Sequence, residues 1–106
     1  MPVAQLYFSF KIFRFFQFRF LNSCSNALNL RGEAIDMRAP AGARYTTADI
    51  FRFIRKNCEF DQLIWEFGND QNPDWIHVSF SLGRNNRKEV LRATKVGGRT
   101  VYNKMT

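Results

Sequence analysis

The chain has a single histidine, His77, so any chemistry that needs an imidazole must be built around it. It sits in the run WIHVSF (75–80). A two-residue alternation there places Trp75, His77 and Ser79 on one face of a strand and Ile76, Val78 and Phe80 on the other. The imidazole therefore lies opposite the more aliphatic face. It is open to ligating a metal, to moving a proton, or to a purely structural role. A second stretch, SNALNLRGEAIDM (25–37), carries Gly32, Ala34 and Asp36 at spacings that suit a metal site, with Asn29 seven positions ahead of Asp36. Two more carboxylates, Glu66 and Asp74, stand shortly before His77.

These side chains can act together only if the intervening chain folds back on itself. TTADIFRFIRKN (46–57) predicts a helix: Thr46 or Thr47 serves as N-cap and Asp49 lies in the first turn. Ile50, Phe51 and Ile54 recur at helical spacing, and Arg55 and Lys56 suit the last turn. FDQLIWEF (60–67) and WIHVSF predict two strands joined by the turn-rich GNDQNPD. In KEVLRATKVGGRTVYN (88–103), two β-prone runs flank Gly97-Gly98, which predicts a hairpin because such a turn demands positive φ. From residue 25 onward the expectation is a small α+β domain: an antiparallel sheet, one main helix packed on it, and a C-terminal β-hairpin.

Residues 1–24 differ in character. LYFSFKIFRFFQFRFL packs seven Phe and three positive charges into sixteen residues. Lys11, Arg14 and Arg19 interrupt any apolar core of a signal peptide, which leaves no clear secretion signal. Three readings apply: a core strand, a membrane-surface contact through residues 7–20 with arginine between aromatics, or a segment foreign to the domain. The last two are favoured, which divides the chain into 1–24 and 25–106.

A net charge of +7 favours anionic partners such as nucleic acid, a membrane surface or a cell-wall polymer. The excess is concentrated in residues 79–106, where seven Lys/Arg face one acid, Glu89. No nucleic-acid motif is present, and no specific nucleic-acid partner is expected. The two cysteines, Cys24 and Cys58, are too few and too far apart for a metal knuckle or a disulfide framework, and free thiols are the default expectation. No apolar run approaches the ~20 residues that span a bilayer.

The order R-G-E-A-I-D, helix, F-D-Q-L-I-W-E-F, D-W-I-H-V-S-F, N-R-K-E-V-L-x-A-T-K closely resembles the zinc D-Ala-D-Ala carboxypeptidases and related peptidoglycan endopeptidases of phages and bacteria (peptidase family M-fifteen). The resemblance covers about residues 27–102 and rests on the ordered set, since no single motif is decisive. It implies a hydrolase acting on peptidoglycan stem peptides at the cell wall, as a monomer, with zinc as cofactor. In that family a segment S-x-H-x-x-G-x-A-x-D supplies a histidine and an aspartate ligand, and a histidine on a later strand completes the site. By this resemblance Asp36 and His77 are metal ligands, Gly32 and Ala34 are the small residues between, and Asn29 stands in the first histidine's place.

A catalytic zinc keeps three protein ligands and one open position for water. A carboxylate beside that water accepts its proton and passes it to the leaving amine. Glu66 is the first candidate for this base, with Asp74 the alternative at the E-x-x-H offset. As structural alternatives, Glu66 is a solvent-facing strand carboxylate and Asp74 a turn residue after Pro73. Two departures from the family pattern bear on activity. Asn29 offers a neutral amide oxygen, a poorer zinc donor than imidazole nitrogen, which points to weak or absent zinc. The G-Y-R-S segment, whose arginine would hold a substrate carboxylate, does not occur. The other expectation is therefore a non-catalytic domain that binds the cell wall, nucleic acid or a membrane surface.

Overall fold

A computed structural model describes residues 3–7, 34–81 and 85–106. Among the described residues, six strands form one mixed sheet with one helix packed on a face of it: β1 (Val3–Tyr7), β2 (Ala34–Arg38), α1 (Thr47–Asn57), β3 (Gln62–Glu66), β4 (Trp75–Ser79), β5 (Glu89–Val96) and β6 (Arg99–Lys104). The order across the sheet is β1-β2-β4-β3-β5-β6. The α+β class, the single main helix and the C-terminal hairpin are as the sequence led one to expect. Two pairings, β1 with β2 and β3 with β5, are parallel, while β2–β4, β3–β4 and β5–β6 are antiparallel. Among the described residues no helix is long and apolar enough to cross a membrane.

Val3–Tyr7 run as a strand beside β2. That part of the N-terminal segment therefore forms a strand of the sheet. The rest of that segment, including almost all of the aromatic run 7–20, lies outside the described residues, as does Asn29.

Helix α1 forms where its caps dictate. The Thr46 side chain accepts from the Asp49 backbone N–H at 3.0 Å, and the Asp49 carboxylate accepts from the Thr46 N–H at 2.8 Å, a reciprocal capping box. Asn72, in the β3–β4 loop, adds a third bond: its side-chain oxygen accepts from the Ala48 N–H at 2.9 Å. The helix start is thus tied to the hairpin that carries Glu66 and His77. Arg55 and Lys56 occupy the last turn, where the helix dipole favours cations.

The buried stripe Thr47, Ala48, Ile50, Phe51 and Ile54 packs on one face of the sheet. There it meets Ile35 and Met37 of β2, Leu63 and Trp65 of β3, and Ile76 and Val78 of β4. Phe51 and Trp65 meet edge to face, with ring centroids 5.2 Å apart. Cys58, buried just beyond the helix, is disulfide-bonded. This corrects the expectation of free thiols, because separation along the chain says little about approach in space.

Because strand side chains alternate, placing these residues under the helix fixes the next ones on the opposite face. That second face carries Asp36, Gln62, Ile64, Glu66, Trp75 and His77, with Ile64, Leu91 and Ala93 forming a small apolar cluster edged by Phe67. The final hairpin turns at Gly97 (φ 57°) and Gly98 (φ 78°). Two successive positive φ values are what a two-residue turn of the primed type requires.

Candidate active site

Asp36 and His77 are register partners across the antiparallel β2–β4 pair. The Asp36 Oδ1 lies 2.9 Å from His77 Nδ1, and each side chain is only about a fifth exposed. A carboxylate accepts and does not donate a hydrogen bond, so in this contact the proton belongs on Nδ1, and the neutral tautomer that makes it keeps its lone pair on Nε2. His77 lines a surface groove of about 410 Å³ together with Gln62, Ile64, Glu66, Leu91 and Tyr102, and Asp36 sits behind it. The pair is therefore an oriented imidazole backed by a carboxylate. The same arrangement steadies histidines that ligate metals and histidines that move protons.

Glu66 stands one strand over. Its register partner on β4 is Trp75, while His77 pairs with Ile64. Glu66 and His77 are thus diagonal neighbours on one face, a relation that sets them roughly 7–8 Å apart. Burial pushes the Glu66 carboxyl above its usual range; the His77 charge pulls it back, Asp36 pushes it up further, and a hydrogen bond from the Trp75 side chain lowers it. Glu66 is thus electrostatically coupled to both members of the pair. A carboxyl raised in this way is a stronger base than an ordinary surface glutamate.

Asp74 is placed differently. Its side chain is exposed, and its backbone N–H donates to the Glu66 carbonyl at 3.0 Å, closing the β3–β4 loop. The structure brings Asp36, His77 and Glu66 to one face and leaves Asp74 in the turn.

The donors can be tested against zinc. Four ligands arranged tetrahedrally at about 2.0–2.1 Å stand about 3.3 Å apart, whereas Oδ1 and Nδ1, 2.9 Å apart, are in direct hydrogen-bond contact, so an ion between them would require Nδ1 to give up its proton and the two atoms to part. Among the described residues, no set of three or more His, Cys, Asp or Glu side chains is placed to hold a metal ion. Asp36 and His77 offer a carboxylate oxygen and an imidazole nitrogen, donor atoms of the kind that zinc takes.

Sequence reasoning missed three residues here. Trp75 bonds to Glu66, and Gln62 and Tyr102 line the groove. Alternation in WIHVSF already put Trp75 on the face of His77. Tyr102 was out of reach, because only the parallel β3–β5 pairing brings the last hairpin to the groove.

No protein-family model, curated protein or solved structure matches the chain.

Proposed function

We propose that the chain is a peptidase-type domain of the zinc D-Ala-D-Ala carboxypeptidase and peptidoglycan endopeptidase kind, acting on cell-wall stem peptides with impaired metal binding. One observation carries this reading: the aspartate and histidine that the resemblance assigns as ligands face each other in register at 2.9 Å, with Glu66 coupled to both. Asp36 and His77 are the residues that would hold zinc. When bound, zinc would supply Lewis-acid polarisation of the scissile carbonyl and a lowered water pKa. The chain's own contribution is an imidazole steered by Asp36, a partly buried carboxyl at Glu66 able to hold and release a proton, and a groove walled by Ile64, Leu91 and Tyr102. The net charge of +7 suits an anionic polymer substrate.

The test is release of D-alanine from a stem pentapeptide in the presence of zinc. Slow release is expected from the natural chain and none from His77→Ala. Asn29→His should raise the rate at least roughly tenfold, since even lesser disturbances of a metal site typically cost 10–100-fold. The absence of release from both the natural chain and Asn29→His would overturn the reading. A second reading, a wall-binding domain without catalysis, draws on Asn29 and on the lack of a third donor among the described residues. It is supported if both proteins sediment with peptidoglycan and neither cleaves it.

A further inference from the structure

A second cavity, of about 610 Å³, shares no lining residue with the groove around His77. It opens where α1 ends, β5 begins and β6 finishes. Four cationic side chains line it: Arg55 from the last turn of α1, Arg87 and Lys88 from the approach to β5, and Lys104 from the end of β6. Phe60 and Met105 supply apolar surface, and Glu89 is the one acid in the lining.

The cations are not equivalent. Arg87 is held by Asp61 through two bonds, Nε to Oδ1 and a terminal nitrogen to Oδ2, both 3.0 Å, and Asp61 is buried. Arg87 is therefore a fixed wall whose charge is already answered. Lys104 and Arg87 each approach Glu89 only to 4.0 Å. Arg55 and Lys88 have no acidic partner among the described residues.

Lys88 also sits at φ 53°. For a side-chain-bearing residue this backbone is strained, and such strain tends to collect where a side chain must be held for a task. Its backbone N–H donates to the Phe60 carbonyl at 2.9 Å, which ties the strained residue to the apolar part of the same cavity.

We propose that this cavity binds the phosphate group of a small organic phosphate, with Arg55, Lys88 and Lys104 around the anion and Phe60 and Met105 against its carbon skeleton. Phosphate fits better than a carboxylate because the cations that line the cavity come from three separate segments of the chain. A phosphate offers three or more acceptor oxygens and up to two charges, and can meet several donors at once. The site is separate from the groove and stands whether or not the chain hydrolyses peptides.

The experiment is an amide-shift titration of the full chain with phenyl phosphate and, separately, with inorganic phosphate. Saturable shifts are expected at Arg55, Phe60, Lys88 and Met105, with phenyl phosphate binding several-fold more tightly. Lys88→Asn removes the cation and keeps a residue that tolerates positive φ, and Lys88→Gly relieves the strain altogether. Both should leave the fold as stable as before or more so, while affinity falls on the order of tenfold. Arg55→Gln should weaken binding similarly. Non-saturating shifts spread over remote cations such as Lys95 and Arg99 would overturn the proposal. So would equal affinity for the two probes, or unchanged affinity in Lys88→Asn and Arg55→Gln.

Discussion

Asp36 and His77, forty-one residues apart in the chain, meet across neighbouring strands with Oδ1 2.9 Å from Nδ1. The pairing rests on the β2–β4 register, since a slip of one residue would send the side chain of the slipped strand to the helix-covered face and part the two. Its first consequence is a fixed tautomer. Nitrogen NMR of the natural chain should show neutral His77 protonated at Nδ1, with that proton protected from exchange. In Asp36→Ala the preference should be lost, at a cost of about 1–3 kcal/mol for the missing charge-assisted bond. A neutral His77 protonated at Nε2 in the natural chain would contradict the geometry.

Glu66 carries a pH signature. Burial, the largest influence, raises its folded-state pKa, so the folded chain holds this proton more tightly than the unfolded chain does. Its contribution to stability is therefore fully present below the ordinary carboxylate range and is lost as pH rises through the folded pKa. Glu66→Gln removes that loss and keeps an oxygen to accept the Trp75 bond. Melting temperatures followed by circular dichroism should show the variant above the natural chain at pH 7 and level with it near pH 4. The same substitution should depress peptide hydrolysis, so stability and activity move in opposite directions. A variant less stable than the natural chain at pH 7 would contradict the assigned cause.

The loop between β3 and β4 sets the offset between Glu66 and His77, and two glycines provide a controlled comparison. Gly68 has φ 69°, and a Cβ there would come within 2.2 Å of the Asn72 carbonyl oxygen. Gly42 has φ 81° and nothing within 4 Å of such an atom. Gly42→Ala should cost only the penalty for a left-handed residue, about 1–2 kcal/mol. Gly68→Ala should cost clearly more and also loosen α1, because Asn72 caps the Ala48 N–H. Urea denaturation of the two variants measures the difference, and equal losses would show that the loop yields easily.

Much of this fold could be read from local patterns. Thr46, Asp49 and the 50-51-54 stripe give α1 its start and its buried face, and Gly97-Gly98 places the last turn. Alternation in WIHVSF put His77 on the face opposite Ile76 and Val78, where it lies. The parallel β3–β5 pairing was not legible, because it depends on which strand edge is left free once β4 has paired with both β2 and β3. With it went the groove walls Leu91 and Tyr102. The basic cavity was visible only as a count of charges along residues 79–106, since Arg55 joins it from a distant helix. The Asp36–His77 juxtaposition came from the resemblance; no local pattern links residues so far apart in the chain.

The most direct test of the central claim is a titration with cobalt, a visible stand-in for zinc, followed by its absorption bands and by competition with zinc. Weak binding is expected in the natural chain, with its loss in His77→Ala and in Asp36→Ala, and a gain of at least roughly tenfold in Asn29→His with the bands of a tetrahedral nitrogen–oxygen site. Identical titrations for the natural chain and His77→Ala, or no gain in Asn29→His, would contradict the claim that Asp36 and His77 form a metal centre.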